Sequence, residues 1–195
     1  MESITDSLTG LGNRRHLFQV LDQFFDEQRS SALEDKRQLA FLFMDLNHFK
    51  EINDSFGHPA GDLLLEHLGA RFMASLRVID TPVRLGGDEF AVVLMDADAT
   101  EAASVAQRLM ACLEEPFELG SLSASVSASI GVALAPNDAT ESAALFWCAD
   151  VAMYRAKVAG KAVAFYDPVL DDDDQWSLVE DLRQGLEQGQ LVLHY

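Results

Sequence analysis

Two acids set the chemical problem. Asp45 closes the apolar run Leu39-Ala40-Phe41-Leu42-Phe43-Met44. Asp88 lies in Arg84-Leu85-Gly86-Gly87-Asp88-Glu89-Phe90, just ahead of a second apolar run, Ala91 to Met95. A carboxylate at the end of a buried strand is costly unless it is paired or binds a cation. The Gly86-Gly87 pair between apolar segments reads as a tight hairpin turn: glycine takes positive φ without strain, and its missing side chain lets something large approach the backbone. If the two apolar runs are neighbouring strands, Asp45 and Asp88 meet at one edge of a sheet. Two carboxylates and a strand-end carbonyl suit Mg²⁺ (or Mn²⁺), which takes oxygen ligands and keeps positions for water and phosphate. Glu89 adds a third acid. Metal ions held this way activate a hydroxyl and stabilise a leaving phosphate during in-line displacement.

Cations and amides extend the pattern. Lys50 follows shortly after Asp45, and Lys157 and Lys161 stand four residues apart at the end of the last helical segment, expected on one face. Asn53 offers an amide for the O6/N7 edge of guanine, and Asp62 a carboxylate for its N1 and N2 donors. Each residue also has a plain structural role: acids solvated in a hairpin, lysines answering a helix dipole, polar residues at helix ends. Spacing alone does not choose between the two. No Gly-x-x-x-x-Gly-Lys pattern occurs, which disfavours Walker-type nucleotide binding.

The chain has 195 residues, 49% of them hydrophobic, with 14 Lys+Arg against 32 Asp+Glu and a net charge of −18. That charge argues against nucleic acid or an anionic membrane as partner. No apolar stretch approaches the roughly 18 residues needed to span a bilayer, and the start lacks the basic-then-apolar order of a signal peptide. Cys112 and Cys148 lie in apolar helix-like faces and read as reduced core thiols. Together these features point to a cytoplasmic domain, whose parent protein remains free to carry a membrane anchor elsewhere.

The elements that must position these residues follow from periodicity. A helix is expected over 14–28, with Leu17, Leu21, Phe24 and Phe25 as its stripe and Asn13 as N-cap. Residues 39–44 lack alternation, as in a central strand buried on both faces. A helix opens at Gly57-His58-Pro59-Ala60-Gly61-Asp62 with stripe Ala60, Leu64, Leu68, Phe72 and Leu76. The hairpin follows, then a helix over 100–114. From Ser123 to Leu134, serines alternate with apolar residues, a strand with one packed face. A last helix, 141–159, is stopped by Gly160, and Ala162 to Tyr166 close with a strand. Residues 1–167 are read as one domain. Asp171 to Asp174 is read as a solvated acidic linker, 168–190 as a linker with a connecting helix (Trp176, Val179, Leu182, Leu186), and 191–195 as the first strand of a further domain. Alternating helices and strands around a central hairpin predict an α/β sandwich.

The residues just named recur inside longer motifs. In order come Asp6-x-Leu8-Thr9-Gly10-Leu11-x-Asn13-Arg14-Arg15; Met44-Asp45-Leu46-Asn47-His48-Phe49-Lys50-x-Ile52-Asn53-Asp54-x-x-Gly57-His58-x-x-Gly61-Asp62; Arg84-x-Gly86-Gly87-Asp88-Glu89-Phe90; Ser129-Ile130-Gly131-Val132; and Ala149-Asp150-x-Ala152-Met153-Tyr154-x-Ala156-Lys157-x-x-Gly160. From Asp6 to Tyr166 the chain resembles the diguanylate cyclase family, named for its Gly-Gly-Asp-Glu-Phe signature. The resemblance implies a nucleotide-cyclase or polymerase-palm-like sandwich, with a mixed central sheet of about five strands flanked by helices and the signature on a β-hairpin. It implies that two GTP molecules are condensed into cyclic di-GMP with release of pyrophosphate, each subunit of a homodimer holding one GTP. Asp45, the backbone carbonyl of Leu46 and Asp88 would hold Mg²⁺, with Asp88 and Glu89 the catalytic acids. Asn53 and Asp62 would read guanine, and Lys50, Lys157 and Lys161 would contact the triphosphate. His58, Gly86 and Gly87 would complete the substrate contacts.

The resemblance also makes Arg77-x-x-Asp80 an inhibitory product site, to which Arg108 of a neighbouring subunit can contribute; the plain alternative is a helix-end salt bridge between Arg77 and Asp80. Leu182 to Tyr195 is similar to the lead-in of the cyclic di-GMP phosphodiesterase domain named for Glu-Ala-Leu, implying a covalently attached domain of that kind. Asn47, Lys161 and Ala162 depart from the family pattern, where an acid, an Arg and an Asn are usual, which bears on rate more than on chemistry. Two alternatives accompany an active cyclase: a catalytically weak module that binds GTP or cyclic di-GMP and controls the attached phosphodiesterase, and a related cyclase or palm domain acting on another nucleotide.

Overall fold

A computed structural model describes residues 3–30, 37–120 and 122–171. The elements in chain order are β1 (Gly12–Asn13), α1 (Arg14–Ser30), β2 (Leu39–Asn47), α2 (Phe49–Phe56), α3 (His58–Ser75), β3 (Thr81–Gly86), β4 (Glu89–Met95), α4 (Ala99–Glu114), β5 (Phe117–Leu119), β6 (Leu122–Ala124), β7 (Ser127–Ala135), α5 (Ser142–Val158) and β8 (Val163–Phe165). One mixed sheet runs β1-β3-β4-β2-β7-β8, and β5 with β6 forms a separate hairpin. The expected linker helix and the strand at 191–195 lie outside the described residues.

β2 sits in the middle because it can serve two layers. Its even residues Ala40, Leu42, Met44 and Leu46 pack with Leu64, Leu68 and Phe72 of α3 and Val105 and Leu109 of α4. Its odd residues Leu39, Phe41 and Phe43 pack with Leu17, Leu21 and Phe24 of α1 and Leu145 and Ala149 of α5. Successive strand side chains point to opposite faces, so a strand with helices on both sides is apolar throughout. The helix ends follow their sequence signals. The side chain of Asn13 accepts from the His16 amide at 3.1 Å, and that of Asp98 accepts from the Glu101 amide at 2.9 Å. Past α5, Gly160 takes φ +63°.

Four features differ from the sequence expectation. The sheet has six strands rather than about five, because the two-residue β1 pairs parallel to β3. The polar stretch after Asp45 forms its own helix, α2, which buries only Phe49 and Ile52. The strand expected over 123–134 is interrupted at Ser125–Val126, and β7 is buried on both faces, Ser129 included. Its serines mimic an amphipathic strand, but alanine and serine are small enough to face packed helices. Finally, Asp171 is not solvated. It is fully buried, paired with Arg155 Nε at 2.8 Å, and accepts from the Asp167 amide at 2.7 Å. The folded unit therefore continues four residues past the boundary expected at 167. Among the described residues, no helix is long and apolar enough to cross a membrane.

Candidate functional site

The antiparallel register of β2 and β4 sets Asp45 opposite Glu89, and that of β2 and β7 sets it opposite Ser129. The hairpin tip folds back on the strand end, where the Leu46 amide donates to the Asp88 carbonyl at 3.2 Å. Gly86 and Gly87 make the turn possible with φ of 146° and 55°, and a bulge separates Arg84 from Gly86. Arg84 stiffens it, donating through Nε and Nη2 to the Gly87 carbonyl at 3.0 and 2.8 Å and reaching Asp6 at 3.3 Å. Asp45, Leu46, Asp88 and Glu89 thus share one edge of the sheet.

The electrostatics of this edge are unbalanced. Burial pushes the Glu89 carboxyl above its usual range, and the charges of Asp45, Asp88 and Asp150 push it further, against a smaller pull from Arg14. Asp150, on α5, is raised by burial and then by Asp45. One cation answers directly: Lys157 Nζ lies 2.5 Å from Asp45 Oδ1. Among the described residues, no three His, Cys, Asp or Glu side chains converge into a closed metal cage. The donor set is instead an open one, two carboxylates and a backbone carbonyl, with excess negative charge around it. That fits a divalent cation which keeps positions for water and phosphate, such as Mg²⁺ or Mn²⁺.

Beside this edge lies an open cleft of about 520 Å³, lined by Asn47, His48, Met110, Ser127, Ser129, Lys157, Gly160 and Lys161 among others. A smaller cleft of about 280 Å³ adjoins it, sharing Asn47, His48 and Ser127 and reaching Glu51, Ile52 and Phe56. His48, at the turn between β2 and α2, takes a left-handed φ of 61°, a conformation uncommon for a non-glycine residue and met at functional sites. Asn47 is held from both sides by serines of β7: its amide donates to Ser127 Oγ at 3.2 Å, and Ser129 Oγ donates to its Oδ1 at 3.3 Å. Lys161 does not continue the α5 face. It follows the Gly160 turn, its amide donating to the Ala156 carbonyl at 2.8 Å, and reaches the same cleft as Lys157 from the connection.

Asn53, on α2, packs against Gly61 at the corner between α2 and α3, next to Asp62 in the chain. A Cβ at Gly61 would stand 2.0 Å from Asn53 Oδ1, so any larger residue there displaces the Asn53 amide. Asp62 and His58 are exposed on the first turns of α3, and Lys50 is exposed on the first turn of α2. None of the four lines either cleft described above.

Arg77, Asp80 and Arg108 gather around the exit from α3. The side chain of Asp80 accepts from the Arg77 backbone amide at 2.9 Å, and Arg108 Nε donates to the Ser75 carbonyl at 2.6 Å. The helix-end salt bridge that the sequence left open between Arg77 and Asp80 does not form, because the turn places the Asp80 carboxylate beneath the Arg77 amide. The Arg77 guanidinium pairs instead with Glu101, on α4, at 2.5 Å. Asp150 and Arg14 carried no assigned role in the sequence. The available signal for Asp150 was its position seven residues before Lys157, two turns along one helix face.

A family model described as "Diguanylate cyclase, GGDEF domain" matches residues 3–162. The chain belongs to the diguanylate cyclase GGDEF-domain family. It is 40% identical over 196 residues to the bifunctional diguanylate cyclase/cyclic di-GMP phosphodiesterase MucR of Pseudomonas aeruginosa, covering 99% of this chain and 28% of MucR. It is 44% identical over 158 residues to the diguanylate cyclase TpbB of the same organism, covering 78% of this chain and 34% of TpbB. It is 33% identical over 195 residues to the cyclic di-GMP phosphodiesterase PdeR of Escherichia coli, covering 98% of this chain and 28% of PdeR. The chain thus spans only about a third or less of these relatives. The solved GGDEF domain of TpbB superposes with a TM-score of 0.81 at 38% identity, covering 88% of this chain and 99% of that one. The GGDEF hairpin is therefore the Gly86–Phe90 turn described above.

Proposed function

We propose that this GGDEF domain condenses two GTP molecules into cyclic di-GMP, releasing pyrophosphate at each of the two bond-forming steps. The observation that carries the proposal is the meeting of Asp45, Leu46, Asp88 and Glu89 on one sheet edge, beside a cleft that holds Lys157 and Lys161. Asp45, Asp88 and the Leu46 carbonyl would hold the divalent cation. When bound, it draws charge from the phosphate oxygens and lowers the pKa of a coordinated hydroxyl.

The chain's own residues do the rest. Lys157 and Lys161 neutralise phosphate charge from one wall of the cleft. Asn53, packed against Gly61 at the α2–α3 corner, and Asp62, next to that glycine, read guanine, with His58 on the same helix as Asp62 and Lys50 on α2. The glycine turn leaves room for the nucleotide against the backbone. A ribose 3′-oxygen attacks the α-phosphorus of the other GTP, the bond to the β-phosphate oxygen breaks, and the hydroxyl proton passes to Asp88, with Glu89 beside it. One domain supplies one GTP, so turnover requires two domains face to face.

The purified chain with Mg²⁺ and GTP should release pyrophosphate and form cyclic di-GMP, and Asp88→Ala should reduce the rate by at least about a thousandfold. Specific activity should climb steeply with protein concentration. Absence of product from concentrated wild-type protein would refute the assignment.

A second reading is favoured by the match to PdeR, which is named for phosphodiesterase activity. Here the domain binds GTP or cyclic di-GMP and regulates an attached Glu-Ala-Leu phosphodiesterase. Calorimetric binding of cyclic di-GMP, lost in Arg77→Ala, together with negligible GTP turnover, would favour that role. Strong turnover favours the cyclase, with Arg77, Asp80 and Arg108 as its site of product inhibition.

A further inference from the structure

We propose that Lys157 is an exchangeable counter-ion for Asp45: it holds the carboxylate in the free domain and yields it when a divalent cation binds, carrying its ammonium into the adjoining cleft. The inference rests on the assignment of Asp45 to the cation site. Asp45 and Lys157 come from opposite ends of the chain, and their contact ties α5 to the end of β2. The pair is asymmetric. The Asp45 side chain is 15% exposed, whereas that of Lys157 is 46% exposed, so the lysine can leave at little cost in packing.

Two ion pairs with more buried partners, also joining separate segments, are built differently. Arg84 reaches Asp6 while also gripping the Gly87 carbonyl twice. Arg155 holds the fully buried Asp171 while also donating to the Phe165 carbonyl. These guanidiniums are forked and multiply bonded. Lys157 makes a single contact, through a compact ammonium on a flexible four-carbon stem. The oxygen it holds, Asp45 Oδ1, belongs to the carboxylate whose charge also bears on Glu89 and Asp150. Removing Lys157 would leave that cluster with only the weaker pull of Arg14. A divalent ion supplies twice the charge, and two cations on one carboxylate repel each other. Lys157 already lines the 520 Å³ cleft beside Lys161, so the displaced ammonium has a place to go.

Lys157 should therefore act on cation and nucleotide with opposite signs. A lysine that only grips phosphate leaves the affinity for a bare cation unchanged, and a lysine that only supports the fold weakens both. The test is titration of the 195-residue chain with Mn²⁺ alone, followed by electron paramagnetic resonance, beside calorimetry with a non-hydrolysable GTP analogue. Lys157→Met and Lys157→Gln should bind Mn²⁺ about two- to fivefold more tightly than wild type and the analogue more weakly. Lys157→Arg, which keeps the charge, should bind Mn²⁺ like wild type. Circular dichroism checks that each variant is folded. Mn²⁺ affinity unchanged or weakened in both neutral variants overturns the exchange. Mn²⁺ binding that ignores Asp45→Asn, or is absent from every form, overturns the cation assignment and the exchange with it. Binding lost in Asp45→Asn but indifferent to Lys157 removes the exchange alone.

Discussion

Glu101 occupies the guanidinium assigned above to the proposed product site. Its carboxylate holds Arg77 at 2.5 Å, with the two side chains 32% and 51% exposed, so on that proposal cyclic di-GMP would have to break this pair to engage the arginine. Glu101→Gln should tighten cyclic di-GMP binding by about two- to fivefold, the range of a partly exposed ion pair. A calorimetric titration decides it, and unchanged affinity would mean that the pair is not in the way. At the other end of the site, Gly61→Ala would drive a Cβ against Asn53 Oδ1. The amide must swing away, so discrimination of GTP over ATP should fall by about tenfold or more, the effect expected when a base edge loses its hydrogen-bonding partner. The two-substrate comparison of kcat/KM measures this. At this scale the sequence singled out candidate residues and said less about what they touch. Asp45, Asp88 and Lys157 could be placed because their motifs are long and ordered. That Arg77 reaches Glu101 rather than Asp80, or that Asp171 is buried beneath Arg155, depends on neighbours distant in the chain, which no local pattern records.

At the scale of elements, α5 is held against β7 by the absence of one methyl group. A Cβ on Gly131 would stand 1.9 Å from the Ala149 carbonyl oxygen and 2.2 Å from the Met153 nitrogen, both backbone atoms that cannot turn aside. Gly131→Ala must push the helix off the sheet. The cost should be about 3 kcal/mol, the upper end for overpacking, and the melting temperature should drop by roughly 6–12 °C. Because α5 also carries Asp150 and Lys157, any folded Gly131→Ala protein should lose turnover beyond what its stability explains. An activity assay well below the melting temperature tests this. Most elements were legible because their apolar period was clear, as in α4, or because period and cap agreed, as in α1 with Asn13. The exceptions share a cause. The alternation of serine and alanine in 123–134 is real, but serine tolerates burial when its hydroxyl has a partner, as Ser129 has in Asn47. The helix α2 escaped notice because its short stripe, Phe49 and Ile52, is too brief to show a period. The strand β1 is only two residues long, and its pairing with β3 is a tertiary event.

For the whole molecule, the crowded carboxylates fix how stability responds to acid. An acid whose pKa is raised by folding binds protons more readily folded than unfolded. Its contribution is complete below the unfolded value and is lost as pH climbs through the folded one. Glu89, Asp138 and Asp150 are all raised, each chiefly by burial. Asp6 and Asp96 shift the other way: Asp6 against its burial, through hydrogen bonds from Thr9 and then the charge of Arg84, and Asp96 through its hydrogen bond with Arg37. They support the fold only above the ordinary aspartate range. The melting temperature should therefore fall as pH climbs above the ordinary carboxylate range. Glu89→Gln should flatten that slope, and millimolar Mg²⁺ at neutral pH should recover part of the loss. Scanning calorimetry in both conditions measures it, and a profile that rises toward neutrality would contradict the electrostatic picture. One further consequence concerns mechanics. Buried Asp171 is moored to Arg155, two positions before Lys157 on α5, and the same arginine also holds the Phe165 carbonyl of β8. Tension on the chain at Asp171 would load α5 as well as the edge strand of the sheet. That anchor sits on the same helix as Lys157, which lines the cleft, so a tug at Asp171 would be felt at the proposed phosphate site.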